Sequence, residues 1–500
     1  MPAAVIVLAA GEGTRMRSAT PKVLHEIGGL SLLGHAVAAA RRLQPHRMLV
    51  VVGHERDRVT AHLGELDSAA EAVVQPEQRG TADAVAVALD AADGGAPLDG
   101  TVVVTAGDVP LLRTETLEAL LRAHTADANA VTVLTARVTD PTGYGRILRA
   151  DDATVLGNVE ERDATPEQRL ITEINSGIYA FDAGVLRDAL SRVDTHNAQG
   201  ELYLPDVLAL ARAAGRSVGA VLVADASEVL GVNDRVQLAE VGRWWQQRVL
   251  REWMRAGVTV VDPGSTWVGA AVTLEPDVVL HPGVHLEGAT SVGAGAHIGP
   301  DTTLRDTVVG AGAEVVRSHA RDARIGTRAT VGPYAYLRPG TVLGPEVHIG
   351  AFVEVKGSTI GRATKVPHLS YVGDADIGER TNIGAATVFV NYDGVAKHRS
   401  TVGDHARTGA DNMFVAPVTI GDGAYTAAGS VITQDVPPGA MAVARGRQRN
   451  VPGWVARRRA GTAAADAAAR ALAVASTAVG DTGEDHLEGD SERSARTERT

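Results

Sequence analysis

The sequence predicts an α/β chain built in two unlike halves: a mostly parallel sheet with helices on both faces, then a connecting helix, then a parallel β-helix. Three observations predict it. Short apolar runs alternate with helical patterns over residues 1 to about 232. One helical run occupies Asp234 to about Ala256. From about Val268 to Ile432 the chain then repeats every six residues. Strand-helix alternation means a parallel sheet, whereas a period of six fits neither a helix nor a long two-residue alternation.

Taken in order, Val5–Leu8, Met48–Val52, Ala72–Val74 and Val102–Thr105 read as strands. Leu32–Leu43, Arg56–Leu66, Thr81–Ala92 and Thr114–Ala123 read as the helices between them. In such sheets a ligand sits beyond the carboxyl ends of the strands. Asp234 suits a cap or first-turn position of the next helix. The tryptophans of that helix, Trp244, Trp245 and Trp253, are expected to pack on a neighbouring domain or subunit.

The six-residue beat begins at Val268, Leu274, Leu280, Leu286, Val292, Ile298 and Leu304. After a slip and an irregular turn it resumes at Ile325, Val331, Leu337, Leu343, Ile349 and Val355. It returns as Ile377 and Ile383, then as Val402, Phe414, Ile420 and Ile432, with Thr408 and Thr426 in phase. Each six-residue side of a β-helix sends one aliphatic residue inward, and three sides make a coil of roughly 18 residues. Coils stack about 4.8 Å apart, so a prism of about nine coils is expected. The beat is interrupted by a polar excursion from Asn391 to His398, the kind of loop on which repeat proteins place function.

Composition narrows the function. The 500 residues are 45% hydrophobic and 22% charged, enough for large cores in two or three domains. There is no cysteine, which excludes disulfides, thiolate metal sites and a cysteine nucleophile. The formal net charge of −12 argues against nucleic acid as a main partner. No apolar run approaches the ~20 residues of a membrane span, and the N-terminus reads as a first strand rather than a signal peptide. A cytoplasmic protein is expected. Residues 457–500 read as an alanine-rich then acidic tail, expected to be disordered.

Chemistry gathers first after the opening strand. Leu8-Ala9-Ala10-Gly11-Glu12-Gly13-Thr14-Arg15-Met16 is a glycine loop whose amides suit phosphate oxygens, with Arg15 and Lys22 adding positive charge. It is neither the dinucleotide fingerprint nor the Gly-Lys-Ser/Thr phosphate loop, and alone it is as readily a tight turn. Gln75 to Gln78 and Gly80-Thr81 follow a strand and precede a helix. Gly107-Asp108 puts a carboxylate at a strand's carboxyl end, a natural Mg2+ ligand beside phosphates, although a lone aspartate there is as often structural.

These residues carry a resemblance. With Pro21-Lys22, Gly143-Tyr144-Gly145-Arg146, Glu160, Glu173-Ile174-Asn175-Ser176-Gly177 and Gly231-Val232-Asn233, the segment resembles the uridylyltransferase half of the bacterial bifunctional GlmU family. In that family N-acetylglucosamine-1-phosphate uridyltransferase is joined to glucosamine-1-phosphate N-acetyltransferase, and the likeness covers about residues 4 to 455. It implies a Rossmann-like nucleotidyltransferase domain over 1–233, a connecting helix over 234–257 and a left-handed β-helix acetyltransferase domain over 258–456. It further implies that Leu8, Ala9, Ala10, Gly11, Gln75, Gly80 and Thr81 hold UTP, with Gly107 beside them. Arg15 and Lys22 would neutralise the triphosphate. Gly145, Glu160 and Asn175 would hold the acetylated sugar, and Asp108 and Asn233 the Mg2+. Ala106 lacks the aromatic ring some relatives carry.

Within the beat stand residues a prism does not need: Arg338, Lys356, His368, Tyr371, Asn382, Asn391 and Tyr392. A lone histidine is more often structural, but one among cations, a tyrosine and asparagines can accept a proton near neutral pH. By the same resemblance His368 is the general base for N-acetylation. Arg338 and Lys356 bind the sugar phosphate, and Tyr371 and Asn382 the sugar. Ala385, Asn391, Tyr392, Ala428 and Arg445 line the acetyl-CoA site, where Asn391 or Tyr392 supplies an oxyanion donor. Ala386 stands where the pattern usually has glycine, and Ala410 where it has serine. The resemblance also implies a homotrimer with coenzyme sites between subunits, and a product feeding cell-wall glycan synthesis. Two other readings stay open: a single-activity nucleotidylyltransferase whose prism serves assembly, and a non-catalytic scaffold.

Overall fold

The computed structural model describes residues 1–94 and 97–480. Its N-terminal sheet orders the strands Val218–Leu222, Val131–Arg137, Glu173–Asp182, Thr101–Ala106, Ala4–Leu8, Arg47–Val52 and Glu71–Val74. Pairing is parallel except at Glu173–Asp182, which runs against both neighbours. The central strands are buried on both faces, as a sheet covered by helices on either side requires. Ala4 and Ile6 join one core with Val102, Val104 and Leu49, while Val5 and Val7 join another with Val103 and Val50. This is the two-residue alternation of a strand. The expected helices lie at Leu32–Arg41, Arg56–Leu66, Thr81–Ala92 and Thr114–Ala126.

The connecting helix spans Arg235–Arg255. Asp234 caps it, accepting from the amides of Val236 and Gln237. Its tryptophans divide. Trp245 is buried with Ile27, Leu32 and Leu111 of the N-terminal domain, and Trp253 packs on the prism core. Trp244 departs from the expected packing: it is 40% exposed.

From Thr259 onward three parallel sheets of seven, ten and nine strands form the sides of the prism among the described residues. The longest side thus has ten rungs where about nine were expected. All the beat residues point inward: Val268, Leu286, Ile298, Leu337, Ile349 and Phe414, for example, are essentially fully buried. The irregular turn is a shortened coil. Trp267 pairs with His285 and His285 with Thr303, each 18 residues on, but Thr303 pairs with His319, only 16 on. Val309, Val315 and Ala320 fill the inward positions there. At the excursion Ile377 pairs with Val402, 25 residues on.

A compact unit ends at Val443 and a second begins at Ala444, short of the boundary read between 456 and 457. The second contains the helices Trp454–Arg458 and Ala463–Gly480. The tail expected to be disordered is therefore helical in its alanine-rich part, in keeping with the high helix propensity of alanine. The acidic stretch lies outside the described residues.

Candidate active sites

The first site assembles at the carboxyl ends of the central strands. Ala9 N donates to Val51 O and Gly107 N to Leu8 O, which ties the glycine loop to both neighbouring strands. Gly13 adopts φ 65°, and a Cβ there would lie 2.5 Å from Lys22 Cβ, so only glycine lets Lys22 approach. Glu12 is exposed, as an acid among phosphate-binding groups must be. Gly80, at φ 119°, passes so close to Leu202 that a side chain would overlap its carbonyl. Thr81 Oγ1 accepts from Leu204 N at 3.0 Å. Gln75 is buried at the edge of an open cleft of about 510 Å3 that Gly53, His54 and Gln78 also line.

Arg15, Lys22, Asp108 and Asn233 converge. Lys22 Nζ donates to Asp108 Oδ2, and to Asn233 Oδ1 at 3.4 Å. Arg15 donates to the same Asn233 oxygen at 2.9 Å. Val232 N donates to Asp108 O at 2.9 Å, fixing the two segments side by side. One ammonium bridging both oxygens shows that a single cation can touch both. That donor set fits Mg2+, which takes one or two protein oxygens and completes its shell with water and substrate phosphates. Among the described residues no three His, Asp or Glu side chains cluster as a metal site.

Beside this point lies a cavity of about 330 Å3 whose lining includes Leu8, Gly145, Glu160, Asn175, Tyr179 and Tyr203. Asn175 is held by its own backbone, donating to Gly145 O at 2.9 Å, and by its Oδ1, which accepts from Tyr179 at 2.9 Å and Gly177 N at 3.0 Å. Asn158 donates to Glu160 Oε1 at 2.7 Å. Burial pushes the Glu160 carboxyl up from the usual range despite that bond. Burial and the nearby acids push the Tyr203 phenol up to about 12. Tyr179 and Tyr203 escaped the sequence reading: Tyr179 stands between Ile178 and Ala180 in a strand and Tyr203 between Leu202 and Leu204, so both read as packing residues.

The second site lies on the prism. Lys356 Nζ pairs with Asp374 at 3.0 Å and Arg338 with Glu354 at 2.8 Å. Burial pushes the Asp374 carboxyl up, yet Lys356 and Asn391 outweigh it and hold it below the ordinary range. Tyr371 lies over Gly373, where a Cβ would stand 2.6 Å from its Cζ and 2.7 Å from Asn391 Nδ2. Lys397, from the excursion, abuts Lys356, which pushes its ammonium down. Asp374, Glu354 and Lys397 were missed as site residues. The signal for Asp374 was its spacing, next to Gly373, which pairs with Lys356 one 17-residue coil on.

His368 is exposed, at the same corner as the expected coenzyme residues. Ala386 N donates to His368 O, Asp411 N to Ala385 O and Gly429 N to Ala410 O. His368, Ala385, Ala410 and Ala428 therefore form one column along the prism. Gly384 and Gly409 let the coils stack there, since a Cβ on either would overlap the next coil's backbone. Ala386 has φ 58°, a left-handed conformation that explains the glycine preference at this position. Asn382 takes part through its backbone, which donates to Ala406 O and accepts from Thr408 N. The two candidate oxyanion donors are engaged elsewhere: Asn391 with Asp374 at 2.6 Å, and the exposed Tyr392 with Gly394 O at 2.7 Å. Arg445 belongs to the second unit.

A family model described as nucleotidyl transferase matches residues 4–254, and one described as bacterial transferase hexapeptide (six repeats) matches residues 322–357. The chain is 60% identical over 468 residues to a "Bifunctional protein GlmU" of Streptomyces avermitilis, covering 93% of this chain and 97% of that protein. It is 61% identical over 469 residues to the protein of the same name from Streptomyces griseus, covering 93% and 97%. To that of Corynebacterium aurimucosum it is 58% identical over 472 residues, covering 94% and 96%.

Proposed function

The chain belongs to the GlmU family of bifunctional proteins, and from that premise we propose how its two halves divide the making of UDP-N-acetylglucosamine. The prism acetylates glucosamine-1-phosphate with acetyl-CoA. The N-terminal domain then joins the N-acetylglucosamine-1-phosphate to the uridylyl group of UTP and releases pyrophosphate. The single observation that carries this is that one chain gathers two separate cationic clusters, one at Lys22 and one at Lys356, each beside groups suited to its own chemistry.

In the N-terminal site, residues 1–233, the sugar-phosphate oxygen attacks the α-phosphorus of UTP in line with the leaving pyrophosphate. Such transfer needs positioning and charge neutralisation more than covalent chemistry. Leu8 to Gly11, with Gly107 behind them, Gln75, Gly80 and Thr81 hold the nucleotide. Arg15 and Lys22 neutralise the triphosphate; Asp108 and Asn233, which Lys22 now engages, are the oxygens that would hold a metal there. Gly145, Glu160 and Asn175 hold the acetylated sugar in the cavity they line. Asp108 and Asn233 are the residues for Mg2+, which would supply charge neutralisation at the phosphates.

In the prism domain, residues 258–456 beyond the connecting helix 234–257, His368 takes a proton from the sugar amine as its nitrogen attacks the thioester of acetyl-CoA. Coenzyme A leaves as the thiol. The exposure of His368 leaves its ring open to substrate. Arg338 and Lys356 bind the sugar phosphate, Tyr371 and Asn382 the sugar. Ala385, Asn391, Tyr392 and Ala428 line the coenzyme site, and Asn391 or Tyr392 turns from its present partner to the oxyanion.

Acetyl-CoA sites between the subunits of a homotrimer suit the prism surface. Tyr334, Phe352 and Leu369 stand on successive coils next to His368, 56%, 59% and 61% exposed, with the two rings stacked at 5.3 Å. Such a bare apolar ridge suits burial against another copy. Among the described residues no helix is long and apolar enough to cross a membrane, and we place the enzyme in the cytoplasm, with its nucleotide and coenzyme substrates. Mass analysis of products from UTP, acetyl-CoA, glucosamine-1-phosphate and Mg2+ tests the reading: UDP-N-acetylglucosamine, pyrophosphate and coenzyme A are expected. Release of no coenzyme A while added N-acetylglucosamine-1-phosphate is still uridylylated would leave a single-activity nucleotidylyltransferase.

A further inference from the structure

We infer that Asp83 is a positioning residue for base choice: it locks the Gln75 amide in the one orientation that accepts a hydrogen bond from uracil and refuses cytosine. The inference rests on the reading that Gln75 meets the base.

Gln75 Nε2 lies 2.8 Å from Asp83 Oδ2 and 3.2 Å from Gly80 O. An ionised carboxylate and a carbonyl both only accept, so the atom facing them must be the NH2 group. The usual ambiguity between amide oxygen and nitrogen is removed here by the partners. Reversing the amide would aim its oxygen at two other oxygens and leave Asp83 Oδ2 without this donor in a buried place, at a cost above that of one lost bond. Gln75 and Asp83 are 5% and 6% exposed, so water cannot easily replace the lost partners.

Asp83 is itself held as an acceptor. It sits in the first turn of the helix Thr81–Ala92, where the helix dipole favours negative charge. Its other oxygen pairs with Arg79 at 2.6 Å. Gly80 O, the second acceptor, is fixed by the tight approach to Leu202 described above. Both Nε2 hydrogens are therefore committed. Gln75 Oε1 has no donor among the described residues, and Gln75 lines the open cleft. The side chain can offer a ligand only an acceptor.

Uracil presents a donor, N3–H, between two carbonyls. Cytosine presents N3 as an acceptor and an amino group in place of one carbonyl. An acceptor fixed opposite N3 pairs with the first and repels the second. A site whose buried polar group is left unpaired by the wrong ligand discriminates more strongly than one that only fits shape. In Asp83→Asn the new amide can donate to Gln75 Oε1, so the reversed orientation becomes available and offers an N–H to cytosine N3.

The test compares kcat/KM for UTP and CTP in uridylyl and cytidylyl transfer to N-acetylglucosamine-1-phosphate, using the full chain. In Asp83→Asn the UTP-to-CTP ratio is expected to fall about tenfold or more. Arg79→Ala, which leaves the Gln75–Asp83 bond in place, should hold the ratio near its original value. Circular dichroism reports folding in every variant. If the UTP and CTP rates of folded Asp83→Asn fall together and the ratio stands, the assignment is contradicted. Gln75→Ala separates the two ideas. If it lowers the ratio while Asp83→Asn does not, the locking role is overturned and the contact with the base survives. If Gln75→Ala leaves the ratio unchanged, the contact with the base is itself wrong.

Discussion

Asn391 donates its side-chain amide to the Asp374 carboxylate at 2.6 Å, and the same carboxylate receives the Lys356 ammonium at 3.0 Å. The excursion that breaks the six-residue beat is thereby fastened to the cation assigned to the sugar phosphate. A single carboxylate orients the cation proposed for the sugar phosphate and anchors the loop proposed for the coenzyme. Asp374→Ala should raise the KM of acetyl transfer for both glucosamine-1-phosphate and acetyl-CoA, each by about tenfold. Uridylyl transfer measured on the same preparation should be unchanged. A rise confined to one substrate would separate the two roles.

Gly145 is needed for close approach. A Cβ there would stand 2.5 Å from Asn158 Oδ1 and 2.7 Å from Glu160 Oε1. Gly145→Ala must displace Glu160, which lines the cavity proposed for the sugar, and Asn158, which donates to it. We expect a loss of about a hundredfold or more in kcat/KM for N-acetylglucosamine-1-phosphate, since misplaced contacts near a reacting group are costly. Coenzyme A release should continue. Wild-type uridylyl kinetics in this variant would remove Glu160 and Asn158 from the sugar site.

Asp206 begins the helix Asp206–Ala213, and its carboxyl is pushed up to about 6 by burial first, then by Asp194 and Asp163. An acid whose pKa is raised on folding binds its proton more tightly in the folded state. Its favourable contribution is full below the ordinary value near 3.8 and is lost as pH rises to about 6. Asp206→Asn should therefore leave stability at pH 4 nearly unchanged and increase it at pH 8, by less than the full shift implies because solvent screens this half-exposed group. Denaturant midpoints at the two pH values check the sign. A midpoint at pH 8 lowered by the substitution would contradict it.

Ala386 holds φ 58° at the corner of the His368 column. An alanine there carries about 1 kcal/mol of strain that glycine would not. Ala386→Gly should raise the thermal midpoint of the prism without changing the KM for UTP. A lowered midpoint would mean that the methyl group contributes more by packing than the backbone loses by strain.

How much of this was legible in the sequence differs between the halves. The prism showed itself because every inward position must be apolar or small, so Val268 through Ile432 kept the beat. The corners were less readable: Tyr334, Phe352, Leu369 and Ala386 all take left-handed conformations without being glycine. Ion partners one coil away, such as Asp374 for Lys356, become readable only when the coil length is known at that point, and it varies. In the N-terminal half, Asp108 and the glycine loop lie at strand ends, where alternation locates them. Tyr203 lies in a loop whose position depends on packing against distant segments, and Gln75 reveals its orientation only through Asp83.

The central claim is that one chain carries two independent active sites. The most direct measurement is of both activities, coenzyme A release and UDP-N-acetylglucosamine formation, in folded Asp108→Ala and His368→Ala. Asp108→Ala should abolish uridylyl transfer and spare acetyl transfer; His368→Ala should do the reverse. Loss of both activities in either folded variant, or of neither in both, would contradict the account.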